Sequence, residues 1–150
     1  MAKAKKKRVT VEEFNLRNFI VGLCRGAYKK TPMYADARNA AKQEYFVKSK
    51  KGSDMRRVHY KCAKCGRYFR DVKGARKIAV DHLDAVVNTK TGWTGYDTFI
   101  DRLFNGRVQV LCNYKGLEDG VKSCHALKTL EERKELRETK KRLKAEGKSK

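Results

Sequence analysis

Acidic residues are scarce in this chain. Seventeen Asp and Glu stand against 38 Lys and Arg, which leaves a formal charge of +21 over 150 residues. Long apolar runs are missing as well. No window approaches the ~18 consecutive apolar residues of a bilayer-spanning helix. The basic run from Met1 to Arg8 is not followed by the apolar segment of a secretory signal. No basic amphipathic stretch with a continuous apolar face closes the chain, which argues against an anionic membrane surface as partner. Internal repeats are absent, and proline occurs once, at Pro32. The cysteines number five, an odd count for a disulfide framework. These absences lead us to expect a cytoplasmic protein whose thiols stay reduced.

What is present is positive charge, and a polyanion is its natural partner. Nucleic acid leads, because every phosphate neutralised releases counterions. The length suits one domain. The expected division is a basic tail with an N-terminal helical region over 1–56, a central unit over 57–135, and a basic C-terminal tail over 136–150.

The residues up to Arg8 read as a solvated tail. Thr10 and Glu13 have the form of a capping box. Leu16, Phe19, Ile20, Leu23, Cys24 and Ala27 then follow the spacing of one helical face, with Cys24 as a buried thiol. Thr31-Pro32 breaks that helix. The spacing of Tyr34, Ala37, Ala41 and Tyr45 predicts a second helix over 34–47, completing a helical hairpin that serves as scaffold, DNA clamp or partner dock. Lys48 to Asp54 is a polar link. Met55 to Lys61 alternates as a short strand, with His59 a surface residue or phosphate contact. Ile78 to Leu83 and Arg107 to Leu111 read as strands. Tyr96, Phe99, Ile100, Leu103 and Phe104 form a helical stripe stopped at Asn105-Gly106. From Cys124 the pattern is helical again. Thr129 to Glu132 repeats the capping-box form, which suggests a bend or restart, and Glu131 to Glu146 reads as an exposed helix fraying into the tail.

Four cysteines carry the clearest chemistry. Cys62 and Cys65 have the two-residue gap that lets one tight turn present both sulfurs, and Gly66 eases that turn. Cys112 and Cys124 end a strand and start a helix. Zinc takes four such ligands in a tetrahedron, with Zn–S at ~2.3 Å, and four thiolates leave no open position. The expected site is therefore structural. A unit this small usually needs such a staple.

The strand ending in Asp81-His82, the strand ending in Leu111-Cys112, and Cys124-His125-Ala126-Leu127-Lys128 opening a helix resemble the HNH endonuclease family. The likeness is to its small, cysteine-containing members from tailed bacteriophages, and it covers about residues 58 to 133. It implies an α+β protein with a ββα-metal core. By the resemblance, His82 is the general base, and Asp81 and His125 hold one catalytic divalent ion, Mg²⁺ or Mn²⁺. Lys128 and Arg107 fall where DNA phosphates would be met. The family's middle asparagine is displaced here. Its equivalent position is Arg107, so Asn105 is the expected substitute, with Asn113 behind it. A general base suits an imidazole, whose unperturbed pKa is ~6.5. The expected partner is DNA, joined by a phage packaging or replication protein through analogy. The competing reading is a zinc module that binds nucleic acid without cutting it. A pure binder has no use for the trio Asp81, His82 and His125.

Overall fold

The computed structural model describes residues 15–71, 77–114 and 122–147. The fold is α+β. Helices α1 (Leu16–Tyr28) and α2 (Pro32–Ala41) lead into strands β1 (Lys42–Lys48), β2 (Asp54–Lys61) and β3 (Tyr68–Phe69). Then come β4 (Ile78–His82), α3 (Tyr96–Asn105), β5 (Val108–Cys112) and α4 (Cys124–Ala145). Two antiparallel sheets result, one ordered β1-β2-β3 and the other β4-β5.

The Thr10–Glu13 capping box lies outside the described residues. Asn15 caps α1 instead, its side chain accepting from the Asn18 N–H at 2.9 Å. Thr31 closes α1 and opens α2: its hydroxyl donates to the Tyr28 carbonyl at 2.7 Å and accepts from the Tyr34 N–H. Pro32 sits at the first helical position, where its missing N–H costs no bond.

The expected apolar face of α1 is only partly inward. Tyr28 is buried, and Val21 and Cys24 pack on the cluster of Tyr28, Phe99 and Leu103, whereas Leu16, Phe19 and Leu23 are exposed. Cys24 is thus half-buried rather than buried. Helix α1 turns towards α3 through Tyr28 and through the Arg17 guanidinium over the Trp93 ring at 4.0 Å.

The second helix is shorter than its spacing predicts. It stops at Ala41, and 42–48 form a strand paired along its whole length with β2. Tyr45, Phe46 and Val47 are aromatic and β-branched residues that suit a pleated surface, and pairing with a distant segment outweighs the alanine-rich lead-in. The boundary expected at residue 56 consequently falls inside β2.

Helix α3 matches its stripe, with Phe99 and Leu103 buried. It does end at Asn105, but Gly106 has an extended φ of −72° rather than a left-handed cap. Glycine is needed there for space: a Cβ would collide with the Arg102 carbonyl and press on the His82 ring at 3.1 Å.

Helix α4 runs unbroken to Ala145. Ser123 caps it, and the second capping box does not restart it, because the Thr129 hydroxyl donates to the His125 carbonyl one turn back. Its distal part is no loose tail. Thr139 is buried and donates to the Thr89 carbonyl at 2.6 Å, and Arg142 donates to the Lys90 carbonyl at 2.7 Å.

Candidate functional site

The β4-β5 pair fixes two ends of the central unit. Ile78 faces Cys112 at one end, and His82 faces Val108 at the other. Four residue-to-residue steps separate these ends along β4, roughly 13 Å of strand.

At the first end the four cysteines meet. The Sγ atoms of Cys62, Cys65, Cys112 and Cys124 all lie within 4.8 Å of one another, as tetrahedral metal ligands must. Cys62 and Cys112 are wholly buried, Cys124 nearly so, and Cys65 lies towards the surface. The Cys62–Cys65 turn closes with Gly66 N–H donating to the Cys62 carbonyl at 2.9 Å. Gly66 takes a φ of +70°, which glycine adopts without strain. Backbone N–H groups already point at sulfur: Cys112 donates to Cys62 Sγ at 3.3 Å, and Cys124 donates to Cys112 Sγ at 3.2 Å. The cluster can hold a metal ion such as zinc. Burial pushes the Cys112 thiol up to about 12, reinforced by the neighbouring Cys62. Burial also opposes ionisation at Cys65, but the Arg67 backbone and side chain draw that thiol down to about 6.

Along β4, from Ile78 to His82, a cleft of about 700 Å³ opens between α1, α2, β4 and α4. Asp81, His82, His125 and Lys128 all line it, and so does Asn113. Neighbouring strand residues leave on opposite faces. Asp81 accordingly meets α4, while His82 turns to α1 and α3.

His82 is buried, and its Nε2 lies 2.9 Å from the Leu103 carbonyl. A carbonyl can only accept, so Nε2 carries the hydrogen. In the neutral ring Nδ1 then holds the lone pair. The Tyr28 ring backs this imidazole, with centroids 4.8 Å apart.

Lys128 does not stand free for DNA as expected. Its ammonium donates to Asp81 Oδ2 at 2.8 Å, to the His82 carbonyl, and to Glu132 Oε1 at 2.7 Å. Burial works against that charge, but Asp81 and Glu132 outweigh it and raise the pKa. Asn105 does not reach the cleft either. Its amide donates to Asp101 at 2.8 Å on the exposed side of α3. Arg107 is exposed and sits 3.8 Å from Asp84.

Three participants escaped the sequence reading. The Leu103 carbonyl is backbone and leaves no mark on residue identity. Glu132 follows Lys128 by one turn, a spacing that does mark ion pairs. Tyr28 continues the Ile20–Cys24 line by four more residues. Its hydroxyl is buried without a hydrogen-bond partner among the described residues, and burial, with Tyr34 and Asp81 adding, pushes its pKa up to about 12. Removing that hydroxyl while keeping the ring should therefore cost nothing. Tyr28→Phe is expected to match the parent in urea unfolding or to gain as much as about 2 kcal/mol. A loss above about 1 kcal/mol would show that a bound water satisfies the group.

Compared with protein-family models, with curated proteins and with solved structures, the chain gives no match.

Proposed function

We propose that this chain is a metal-dependent HNH endonuclease or nickase that hydrolyses phosphodiester bonds in DNA. The observation that carries the reading is the fixed imidazole: Leu103 holds the Nε2 hydrogen of His82 inside a cleft that Asp81 and His125 also line. In this reading β4, β5 and α4 are the ββα unit. His82 Nδ1 takes the proton from the attacking water. The Leu103 carbonyl does the orienting work expected of Asn105. Asp81 and His125 offer a carboxylate and an imidazole, a donor pair that suits Mg²⁺ or Mn²⁺ with positions left for water and phosphate. Such an ion, when bound, supplies charge against the phosphate and the leaving oxygen. Lys128 holds the Asp81 carboxylate towards α4 through an ion pair at 2.8 Å. The cysteine cluster holds a structural zinc, which ties the start of the unit to α4.

A second reading has its own support. Among the described residues the cysteines are the one group of three or more metal-ligating side chains brought together, and Lys128 already neutralises Asp81. A zinc module that binds nucleic acid without cutting would look the same there. Supercoiled plasmid separates the two. With Mg²⁺ or Mn²⁺ the endonuclease converts it to nicked or linear forms. If the plasmid stays as supercoiled as in the metal-free control, the binding module is the better description.

A further inference from the structure

The hairpin of β1 and β2 is built unlike the rest of the molecule. Strand β3 pairs only with Tyr60 and Lys61, so among the described residues the remainder of the hairpin is a two-stranded ribbon with no third strand beside it. Every residue of β1 is exposed except Tyr45, and the outer residues of β2, Asp54 to Arg56, are exposed too. The ribbon thus meets solvent on both faces. From Gln43 to Lys48 it extends roughly 20 Å.

A bare two-stranded ribbon is at best marginally stable in water. This one has local supports. Tyr45, His59 and Tyr68 stack in a row at 4.6 and 4.4 Å between centroids. Arg56 pairs with Glu44, and the base is anchored where Arg38 donates to Tyr60 and to Asp71. The turn is tightened by Ser49 and Ser53, with their hydroxyls 2.7 Å apart, and Gly52 takes a φ of +82°.

Its charge is one-sided. Residues 42–61 contain seven Lys or Arg and two acidic residues. Both acids are already paired, Glu44 with Lys42 and Arg56, and Asp54 with Lys48. Lys50 and Lys51 at the tip, with Arg57 and Lys61 along β2, form no salt bridge among the described residues. Large apolar side chains are open on the ribbon: Val47 and its cross-strand partner Met55 share a face with Arg57 and Lys61, and Phe46, 70% exposed, stands on the opposite face.

We propose that the β1–β2 ribbon is a DNA-reading arm that lies in the major groove of a duplex. That groove is about 12 Å wide and admits a two-stranded ribbon. Lys50, Lys51, Arg57 and Lys61 neutralise flanking phosphates, and Val47 and Met55, on the same face as Arg57 and Lys61, meet base edges, where a thymine methyl offers an apolar contact. The inference rests on duplex DNA being the substrate. It is tested by binding alone, so an absence of cutting would not decide it.

The full-length protein is titrated into a fluorescent duplex of about 20 bp, without catalytic ion, over a range of KCl. The variant K50Q/K51Q/R57Q/K61Q is compared with K134Q/R137Q/K140Q/K141Q, which removes the same charge from exposed positions on α4. Each phosphate contact contributes about 0.9 to the salt slope. The arm variant should therefore lose about three to four from that slope and at least tenfold in affinity near 0.1 M salt, with the α4 variant within about threefold of the parent. Methylation of guanine N7, a major-groove position, should weaken binding by the parent and matter less to Val47→Ala. Zinc content and circular dichroism check that each variant is folded. Equal losses in the two quadruple variants would reduce the effect to bulk charge and overturn the arm. So would indifference of the parent to N7 methylation. A parent that sediments as a dimer and disperses on Phe46→Ala would give the ribbon to a second copy of the chain, and would overturn the proposal as well.

Discussion

His82→Ala should slow plasmid nicking by about 10²–10⁴-fold, the usual contribution of a positioned general base. Zinc content and duplex affinity should stay near those of the parent, because the cysteine cluster and the basic surface lie elsewhere. The alanine also opens space beside Tyr28, so His82→Asn serves as a bulkier companion that keeps a polar group near the Leu103 carbonyl. Both variants should be folded and slow. His125→Ala should also lose cutting, but by weakening the proposed ion site, so excess Mn²⁺ should restore part of its rate and none of that of His82→Ala. His59→Ala is the control. That ring stacks between Tyr45 and Tyr68, away from the cleft residues, so at saturating DNA its loss should leave the nicking rate nearly parental. Parental cutting by His82→Ala would end the endonuclease reading of β4.

Cys112→Ser should remove bound zinc and unfold the central unit. Cys112 has no exposed surface, it ends β5, and its sulfur accepts from the N–H that opens α4. Structural zinc contributes about 10–16 kcal/mol to small zinc-finger peptides, and a lost thiolate forfeits much of such a contribution. Metal analysis of the parent should return about one zinc per chain, and the serine variant should return little, with its cooperative melting transition lost. The same site should respond to acid. Metal binding requires the thiolate, and the metal-free Cys112 thiol sits at about 12. It therefore surrenders a proton to the solvent when zinc binds at neutral pH, and zinc affinity should fall as pH falls. A Cys112→Ser protein that kept its zinc and its transition would remove this residue from the cluster.

The two variants probe opposite ends of one short sheet, and the fold explains why they should fail differently. The cysteine end is closed by packing of Cys62, Leu111, Cys112 and Cys124 with Phe69 and Tyr114 against it. The His82 end rests on a second cluster, Tyr28 with Phe99 and Leu103, contributed partly by the N-terminal helix. That helix is thus part of the cleft wall, where the sequence reading had left open whether it was only scaffold.

Much of this was legible in residue order. The spacing of Cys62, Cys65, Cys112 and Cys124 already indicated one shared site, because sulfur ligands at turns and element ends leave a pattern in the chain itself. The stripe from Tyr96 to Phe104 located α3 for a similar reason: a helix's buried face repeats within ten residues, and no distant partner is needed to see it. The two strands that carry Asp81-His82 and Cys112 were likewise visible as short apolar runs.

The rest was decided by contacts between segments far apart. Residues 42–48 carry helix-compatible spacing, and only pairing with 54–60 makes them a strand, since strand stability depends on a partner that local sequence does not contain. The exposed side of α1 could not be told from its buried side, because Leu16, Phe19 and Leu23 are as apolar as the residues facing α3. Lys128 follows His125 by one turn in the sequence, but that Asp81 joins Glu132 around its ammonium is visible only in the tertiary structure. The hydrogen-bond partner of the His82 ring is the Leu103 carbonyl, 21 residues away, which residue identity does not reveal because every residue type carries a carbonyl. Composition and spacing by themselves determined the positive charge, the four-cysteine set and the elements with local periodicity. Tertiary structure alone decided which groups face one another, because pairing, burial and backbone hydrogen bonding are properties of two segments at once.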